Sequence, residues 1–127
     1  MARTIVTSPG IAWGPIPISQ AVRSGNLVFV SGIPGFDAQA RLAKGDFAAQ
    51  FRQAMENVRA ILRAAGTDLD RVVKCTVLLA RPEDWAPMNE IYATYWPSGG
   101  FPARTAFASA LPHPDFLVEI ECVAEVE

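Results

Sequence analysis

The chain has 127 residues, of which 50% are hydrophobic and only 19% are charged, and its formal net charge at pH 7 is −2. That length suits one domain, over residues 1–127, with a core of its own. The acidic balance lacks the basic patch that nucleic-acid binding needs, no apolar run approaches the roughly 20 residues of a membrane span, and the start Met1-Ala2-Arg3-Thr4 lacks the apolar core of a secretion signal.

The first half of the chain predicts strands followed by one long helix. Short strand patterns cover residues 4–6, 21–23 and 27–31. Ser24-Gly25-Asn26 has the composition of a hairpin turn, and residues 32–45 are loop-like with room for a brief strand. Over residues 47–65 apolar side chains recur every three or four positions, with Asp46 as N-cap and Gly66 as stop residue. This pattern predicts a helix that lies on a sheet.

The second half predicts further strands around a shorter helix. Strand patterns cover residues 72–79, 105–108 and 116–126. Asp84 is a favourable cap for a helix over residues 85–95, which Pro97 closes. The order of these elements predicts an α+β fold with both helices packed on one face of the sheet.

The cysteine and histidine content argues against a metal site. Cys75 and Cys122 stand in strand-like apolar runs, which predicts buried free thiols in a reducing cytosol. The single histidine, His113, lies between two prolines in a turn. A closed zinc site or a Cys–His nucleophile pair is therefore not expected.

The low charge content of the chain points to exposed apolar surface. Exposed apolar surface of this kind marks a subunit interface.

Arg104 is the only formally charged residue between Glu90 and Asp115. A guanidinium stays protonated, and burying it without a partner is costly. An exposed or structurally paired arginine would satisfy this requirement. So would a guanidinium that receives a substrate carboxylate at two points. The residue pattern leaves both interpretations open.

The last strand carries carboxylates on one face only. Its even-numbered residues are apolar and are expected to meet the helices, whereas Glu119, Glu121 and Glu125 alternate onto the other face. That face is either solvated or covered by a neighbouring subunit, in which case a half-buried carboxylate can act as general acid or base. Periodicity does not separate Glu119 from Glu121.

Other polar and aromatic residues give weaker signals. Asn89 has the pattern of a solvated polar position on the second helix. The large aromatic residues show no stacking pattern, which is typical of core or interface positions; they are Trp13, Trp85, Trp96 and Tyr92.

An ordered set of short motifs with matching intervals covers nearly the whole chain. It consists of Gly14-Pro15, Ser19-Gln20-Ala21-Val22, Gly25-Asn26, Ser31-Gly32-Ile33-Pro34, Gly45-Asp46, Asn57-Val58, Ala65-Gly66, Val72-Val73-Lys74, Asn89, Pro102-Ala103-Arg104, Leu111-Pro112 and Val118-Glu119-Ile120-Glu121. In these motifs the chain resembles the Rid family, also called YjgF or reactive-intermediate (imine) deaminases and often described as L-PSP endoribonucleases.

The resemblance implies a chorismate-mutase-like α+β subunit. Three subunits would form a trimer with the sheets around a central barrel, the helices outside and ligand pockets between subunits. Arg104 would hold the substrate carboxylate, and Glu119 would position the water that attacks the C=N carbon. The implied substrate contacts are Ile18, Ser31, Gly32, Asn89 and Ala106. The implied reaction is hydrolysis of enamines or imines such as 2-aminoacrylate to 2-keto acids and ammonia, with no cofactor.

Three positions depart from the family pattern. Deaminase members read Gly-Pro-Tyr-Ser-Gln-Ala, whereas here two extra residues follow Gly14-Pro15 and Ile18 takes the place of the tyrosine. A pocket wall thereby loses a phenol hydroxyl. Ala106 removes a polar side-chain option two residues after the arginine, and the Gln that many members place after Gly32 is missing. These departures favour carboxylate binding over fast 2-aminoacrylate hydrolysis, and a larger or more apolar substrate.

The sequence therefore predicts a cytoplasmic homotrimer that hydrolyses imines of small carboxylic acids. Its expected partners are small 2-imino and 2-keto acids, with neither a membrane nor nucleic acid. Two other classes stay open. A non-catalytic metabolite-binding trimer is favoured by the missing tyrosine. A ribonuclease or translation inhibitor is disfavoured by the net charge of −2, because phosphate contacts need Lys or Arg.

Overall fold

A computed structural model describes residues 3–127. Met1 and Ala2 lie outside the described residues, and so does that part of the expectation about a secretion signal. Its strands are β1 (Thr4–Val6), β2 (Ala21–Ser24), β3 (Leu27–Ile33), β4 (Val72–Leu79), β5 (Ala103–Ala108) and β6 (Val118–Glu125). Its helices are α1 (Phe47–Ala64) and α2 (Trp85–Ala93), with short 3₁₀ turns at Leu69–Arg71 and Pro82–Asp84.

The six strands form one mixed sheet in the order β1-β2-β3-β6-β4-β5. All neighbouring pairs are antiparallel except β4 and β5, which are parallel. β6 comes last in the chain and is central in the sheet. Its residues Val118, Ile120 and Ala124 are fully buried, and α1 and α2 cover that face. The predicted α+β class, with both helices on one face, is confirmed.

Helix α1 matches its predicted span and stop residue to within one position. The Asp46 carboxylate accepts a hydrogen bond from the Ala49 N–H at 3.0 Å, as an N-cap does. Gly66 follows the helix with φ +88°, a left-handed conformation that glycine adopts without strain. Phe51 and Ile61 on its apolar face are fully buried.

The start of α2 differs from the prediction. Asp84 stands at the N-cap position, but its side chain makes no capping bond. Its carboxylate instead accepts two hydrogen bonds from the Arg81 guanidinium, at 2.8 and 3.0 Å. A bidentate charged pair is stronger than one bond to a backbone N–H, so the capping prediction was wrong. The helix also ends at Ala93 rather than at 95, because the next residues continue as tighter turns toward Pro97.

The remaining differences concern strand ends. β5 begins two residues earlier than predicted, β6 is shorter at both ends, and β2 and β3 extend by one and two residues. Cys75 and Cys122 face each other across β4 and β6 as buried free thiols, as predicted. Burial raises the pKa of the Cys75 thiol to about 11. Among the described residues, no helix combines the length and apolarity needed to cross a membrane.

Candidate functional site

Glu119 lies near the start of β6 on the face turned away from the helices. Its neighbours Val118 and Ile120 are fully buried, so strand alternation directs Glu119 to the opposite side. Glu119 is half-buried, whereas Glu121 is exposed. Burial raises the pKa of the Glu119 carboxyl above its usual range. The structure thus separates two carboxylates that the sequence pattern leaves equivalent.

Glu119 faces a cavity of about 220 Å³ with mostly apolar walls. Ile18 and Gly32 line the same cavity, so two of the predicted substrate contacts lie beside the carboxylate. At Gly32 a Cβ atom would stand only 2.7 Å from Glu119 Oε1. β3 therefore passes the carboxylate at a distance that only glycine allows without displacing it.

Ser31 has a structural role next to this cavity rather than within its lining. Its hydroxyl donates to the Ser19 carbonyl oxygen at 2.6 Å, and its backbone N–H donates to the Gln20 carbonyl oxygen at 2.9 Å. The Trp13 indole N–H donates to the Ile18 carbonyl oxygen at 3.2 Å. These bonds hold the segment before β2 against the end of β3 and so shape one wall.

Gln50 holds the segment that leads into β6. It is a fully buried polar residue of α1. Its amide nitrogen donates to the carbonyl oxygens of Ala43 and Asp115 at 2.9 and 3.0 Å, and its amide oxygen accepts from the Leu117 N–H at 2.9 Å. The sequence analysis missed this residue. The available signal was an amide in a stretch whose apolar face must be buried.

Arg104 lies on β5, on the face that meets α2. Its guanidinium carbon is 5.2 Å from the centre of the Trp85 ring and 4.8 Å from that of the Tyr92 ring. Its Nη1 donates to the Met88 sulfur at 3.4 Å. Within residues 3–127 no carboxylate forms a salt bridge with Arg104. The guanidinium is therefore held by aromatic faces, with donors left for a ligand.

A second cavity, of about 340 Å³, opens at this arginine and is also lined by Asn89, Tyr92 and Phe101. Asn89 is half-buried here, so part of its side chain stays accessible to solvent. Tyr92 and Trp96 are buried in the core, as expected, whereas Trp85 is exposed. Trp85 and Tyr92 both lie against the Arg104 guanidinium. Positions 85, 88, 89 and 92 follow the spacing of one helix face, and that spacing was the signal that could have linked them to Arg104.

Ala106 lies two residues beyond Arg104 and packs, partly buried, against the core. Neither Ala106 nor Ser31 lines either cavity. The structure therefore brings Ile18 and Gly32 to Glu119, and Asn89 to Arg104, and leaves the other two predicted contacts outside. Within the described part of the chain, no three His, Cys, Asp or Glu side chains cluster so that they could hold a metal ion.

Arg104 and Glu119 do not meet within one chain. Through β4, Arg104 is in register with Cys75 and Glu119 with Leu78. They are thus three residues apart along the strands and two strands apart across the sheet, or roughly 14 Å between Cα atoms at ~3.3 Å per residue and ~4.8 Å per strand. They also project from opposite faces. One small substrate cannot touch both groups of the same chain.

The chain matches the family model described as endoribonuclease L-PSP over residues 15–126. It is 44% identical over 112 residues to a RutC family protein of Pyrococcus horikoshii, which covers 87% of this chain and 88% of that protein. It is 44% identical over 110 residues to the Mus musculus protein named 2-iminobutanoate/2-iminopropanoate deaminase, across 85% of this chain and 80% of that one. The structure of E. coli TdcF with bound serine superposes with a TM-score of 0.89 at 29% identity, over 98% of this chain and 99% of that chain.

Proposed function

Since the chain belongs to the endoribonuclease L-PSP family, also called the Rid or YjgF family, we propose that it hydrolyses 2-imino acids and their enamine forms to 2-keto acids and ammonia. The observation that carries the proposal is the Arg104 guanidinium, which is held between two aromatic rings and left without a carboxylate partner in the described chain. A ligand carboxylate supplies the missing counter-charge, and a guanidinium binds it at two points. The relatives named as imine deaminases support the reaction class.

In the proposed reaction Arg104 orients the substrate and Glu119 positions the attacking water. A C–O bond forms between the water oxygen and the imine carbon while the C=N bond becomes a single bond, which gives a carbinolamine. Glu119 accepts one proton from the attacking water and returns it to the nitrogen. The hydroxyl group then loses its proton, which also passes to the nitrogen, as the C–N bond breaks, so that a C=O bond forms and ammonia leaves. A carboxyl whose pKa is raised by burial accepts this proton more readily than an ordinary exposed one.

The proposed site forms between copies of the chain. Arg104 and Glu119 project from opposite sheet faces, so a complete site needs Arg104 of one copy and Glu119 of another. Phe29 and Phe107 on the outer sheet face are 45% and 49% exposed, which supports burial of that face in an assembly. We propose a homotrimer of chorismate-mutase-like subunits, each a single domain over residues 1–127. We also place it in the cytoplasm, where two buried thiols stay reduced.

Substitution of the two proposed catalytic residues tests the chemistry. Arg104→Ala is expected to abolish ammonia release from freshly generated imines, and Arg104→Lys to restore it poorly, because an ammonium lacks the two-point geometry. Glu119→Gln should lower turnover by roughly 10²–10⁴-fold with little change in binding of a 2-keto acid. Glu121→Gln, two residues along the same face, is the matched control. If both glutamine variants turn over like the wild type, Glu119 does not position the attacking water. If the wild type binds a 2-keto acid but releases no ammonia above the spontaneous rate, the chain binds small carboxylates without hydrolysing imines.

Mixing two inactive variants tests whether the site is shared. In an equal mixture of Arg104→Ala and Glu119→Gln chains that have been dissociated and reassembled, a site between copies receives both native residues in one case out of four. We expect about a quarter of the wild-type rate to return. A site within one chain would stay inactive at every mixing ratio. The oligomeric state follows from light scattering at micromolar concentration.

A further inference from the structure

The cavity at Glu119 has no polar side chain free to bind a ligand apart from Glu119 itself. The other polar side-chain groups in its lining are the Trp13 indole N–H, which donates to the Ile18 carbonyl oxygen at 3.2 Å, and the Asn57 amide. The Asn57 amide nitrogen already donates to the carbonyl oxygens of Pro34 and Phe36 at 3.2 and 2.8 Å, and its oxygen accepts from Gln53 at 2.9 Å. A ligand group that enters this cavity beyond the carboxylate therefore meets mostly apolar surface.

The walls around that carboxylate are large and come from separate parts of the chain. They include Ile16 and Ile18 before β2, Trp13 in the same segment, and Phe36 and Phe116 on the far side. The two phenylalanine rings pack edge to face with centroids 5.4 Å apart. Ile16 and Ile18 are 51% and 49% exposed, which is unfavourable for two neighbouring isoleucines unless a ligand or a partner covers them.

The size of the cavity sets the size of the group it can hold. An apolar cavity of roughly 150 Å³ accommodates a benzene ring, and this one measures about 220 Å³. A methyl group would leave most of that volume empty. A branched four-carbon group would occupy more of it, and a benzyl group most of it, and both would reach the isoleucine and phenylalanine walls.

We propose that this chamber is the subsite for the substrate side chain, and that the preferred substrates are 2-imino acids with bulky apolar side chains, of the leucine or phenylalanine type. This inference rests on the function proposed above. The imine carbon carries three groups in one plane: the nitrogen, the carboxylate and the side chain. With the carboxylate on Arg104 of one copy and the carbon beside Glu119 of another, the side chain is the group left to enter the chamber.

The expected selectivity follows from the apolar contacts. Each methylene transferred from water to an apolar site changes binding by roughly fourfold. A leucine-type side chain has three more carbons than an alanine-type one, so kcat/KM should favour it by roughly 10–60-fold. Ile16 and Ile18 supply the exposed wall, so replacing both should remove most of this preference.

The test compares imines formed in situ by an amino-acid oxidase from alanine, leucine and phenylalanine, with ammonia release measured above the spontaneous rate. The wild type should prefer the two large imines. In the double variant Ile16→Ser/Ile18→Ser, the ratio of kcat/KM for the large imines to kcat/KM for the alanine-derived imine should fall at least tenfold; an unchanged ratio would overturn the inference. Ile5→Ser, another isoleucine that is 58% exposed but lies outside the cavity, is the matched control and should keep the wild-type profile.

A second measurement separates failure of this inference from failure of the proposed function. Calorimetric binding of 4-methyl-2-oxopentanoate and of pyruvate requires no turnover, and the larger keto acid should bind at least tenfold more tightly. Equal or stronger activity and binding with the small compounds would overturn the inference and leave the deaminase proposal intact. Tight binding of the large keto acid without any imine hydrolysis would retain the subsite and refute the reaction.

Discussion

Replacing the buried amide of Gln50 with an apolar side chain of similar length should destabilise the protein markedly. Gln50→Met keeps the shape of the side chain and removes both its donor and its acceptor. The amide makes three hydrogen bonds to backbone groups that are distant in sequence or beyond the helix start. The structure therefore predicts a loss in the free energy of unfolding, whereas the helix propensities of Gln and Met are nearly equal and predict none.

The size of the loss follows from where the three partners lie. The Leu117 N–H is buried, and leaving it without an acceptor costs about 1–3 kcal/mol. The carbonyls of Ala43 and Asp115 belong to residues that are exposed and half-buried, so water can replace the lost bonds at about 0.5–1 kcal/mol each. Burial of the new apolar atoms returns about 1 kcal/mol. The expected net loss is about 1–4 kcal/mol.

Urea unfolding at one fixed chain concentration measures this loss, because the assembly proposed above would make stability depend on concentration. The corresponding drop in Tm is roughly 4–15 °C for a chain of this length. Gln53→Met is the control: it lies on the same helix, and its amide bonds only to the Asn57 side chain. If both variants lose less than about 1 kcal/mol, the three bonds of Gln50 do not hold the entry to β6, and the reasoning fails.

Three further predictions concern the site. Because burial raises the folded-state pKa of Glu119, its ionisation should weaken the fold as pH rises through that pKa; Glu119→Gln should therefore raise Tm at pH 7, and an equal gain at pH 4 would contradict the argument. Gly32→Ala would place a methyl group 2.7 Å from the carboxylate and should lower kcat/KM at least tenfold with less than about 1 kcal/mol change in stability, whereas Gly10→Ala, with open space around it, should change neither. Trp85→Ala removes one aromatic face from Arg104 and should weaken calorimetric 2-keto acid binding by roughly 2–10-fold; unchanged affinity would show that Tyr92 alone holds the guanidinium.

The fold follows from the sequence where the local pattern and the packing agree. The face of α1 and the alternation of β6 are long and regular, so period and burial lead to the same prediction. The Asp84 cap failed because a competing partner, Arg81, lies three residues away and binds the carboxylate more strongly. Residue preferences at helix ends do not show whether the Asp84 carboxylate binds a backbone N–H or the Arg81 guanidinium. That choice depends on the conformation of the turn between Arg81 and Asp84.

The site is harder to predict from the sequence than the fold, because it depends on which residues of the same pattern lie in a cavity and which lie in solvent. Glu119 and Glu121 have the same periodicity, and only the loops that cover one end of the sheet distinguish them. Likewise, Trp85 and Tyr92 contact Arg104 only because β5 pairs in parallel with β4 beneath α2. Strand order and loop placement depend on contacts between residues that are distant in sequence. The residue pattern alone could therefore identify candidate site residues, but not which of them lie together in the fold.

The separation of Arg104 from Glu119 has a chemical consequence. If the two side chains met within one chain, they would form an ion pair that lowers the pKa of the carboxyl and occupies the guanidinium. Kept on opposite faces of the sheet, Glu119 retains a raised pKa and Arg104 retains free donors. In the shared site that we propose, the substrate carboxylate lies between them and takes the guanidinium for itself. The carboxyl then stays available to accept a proton from water.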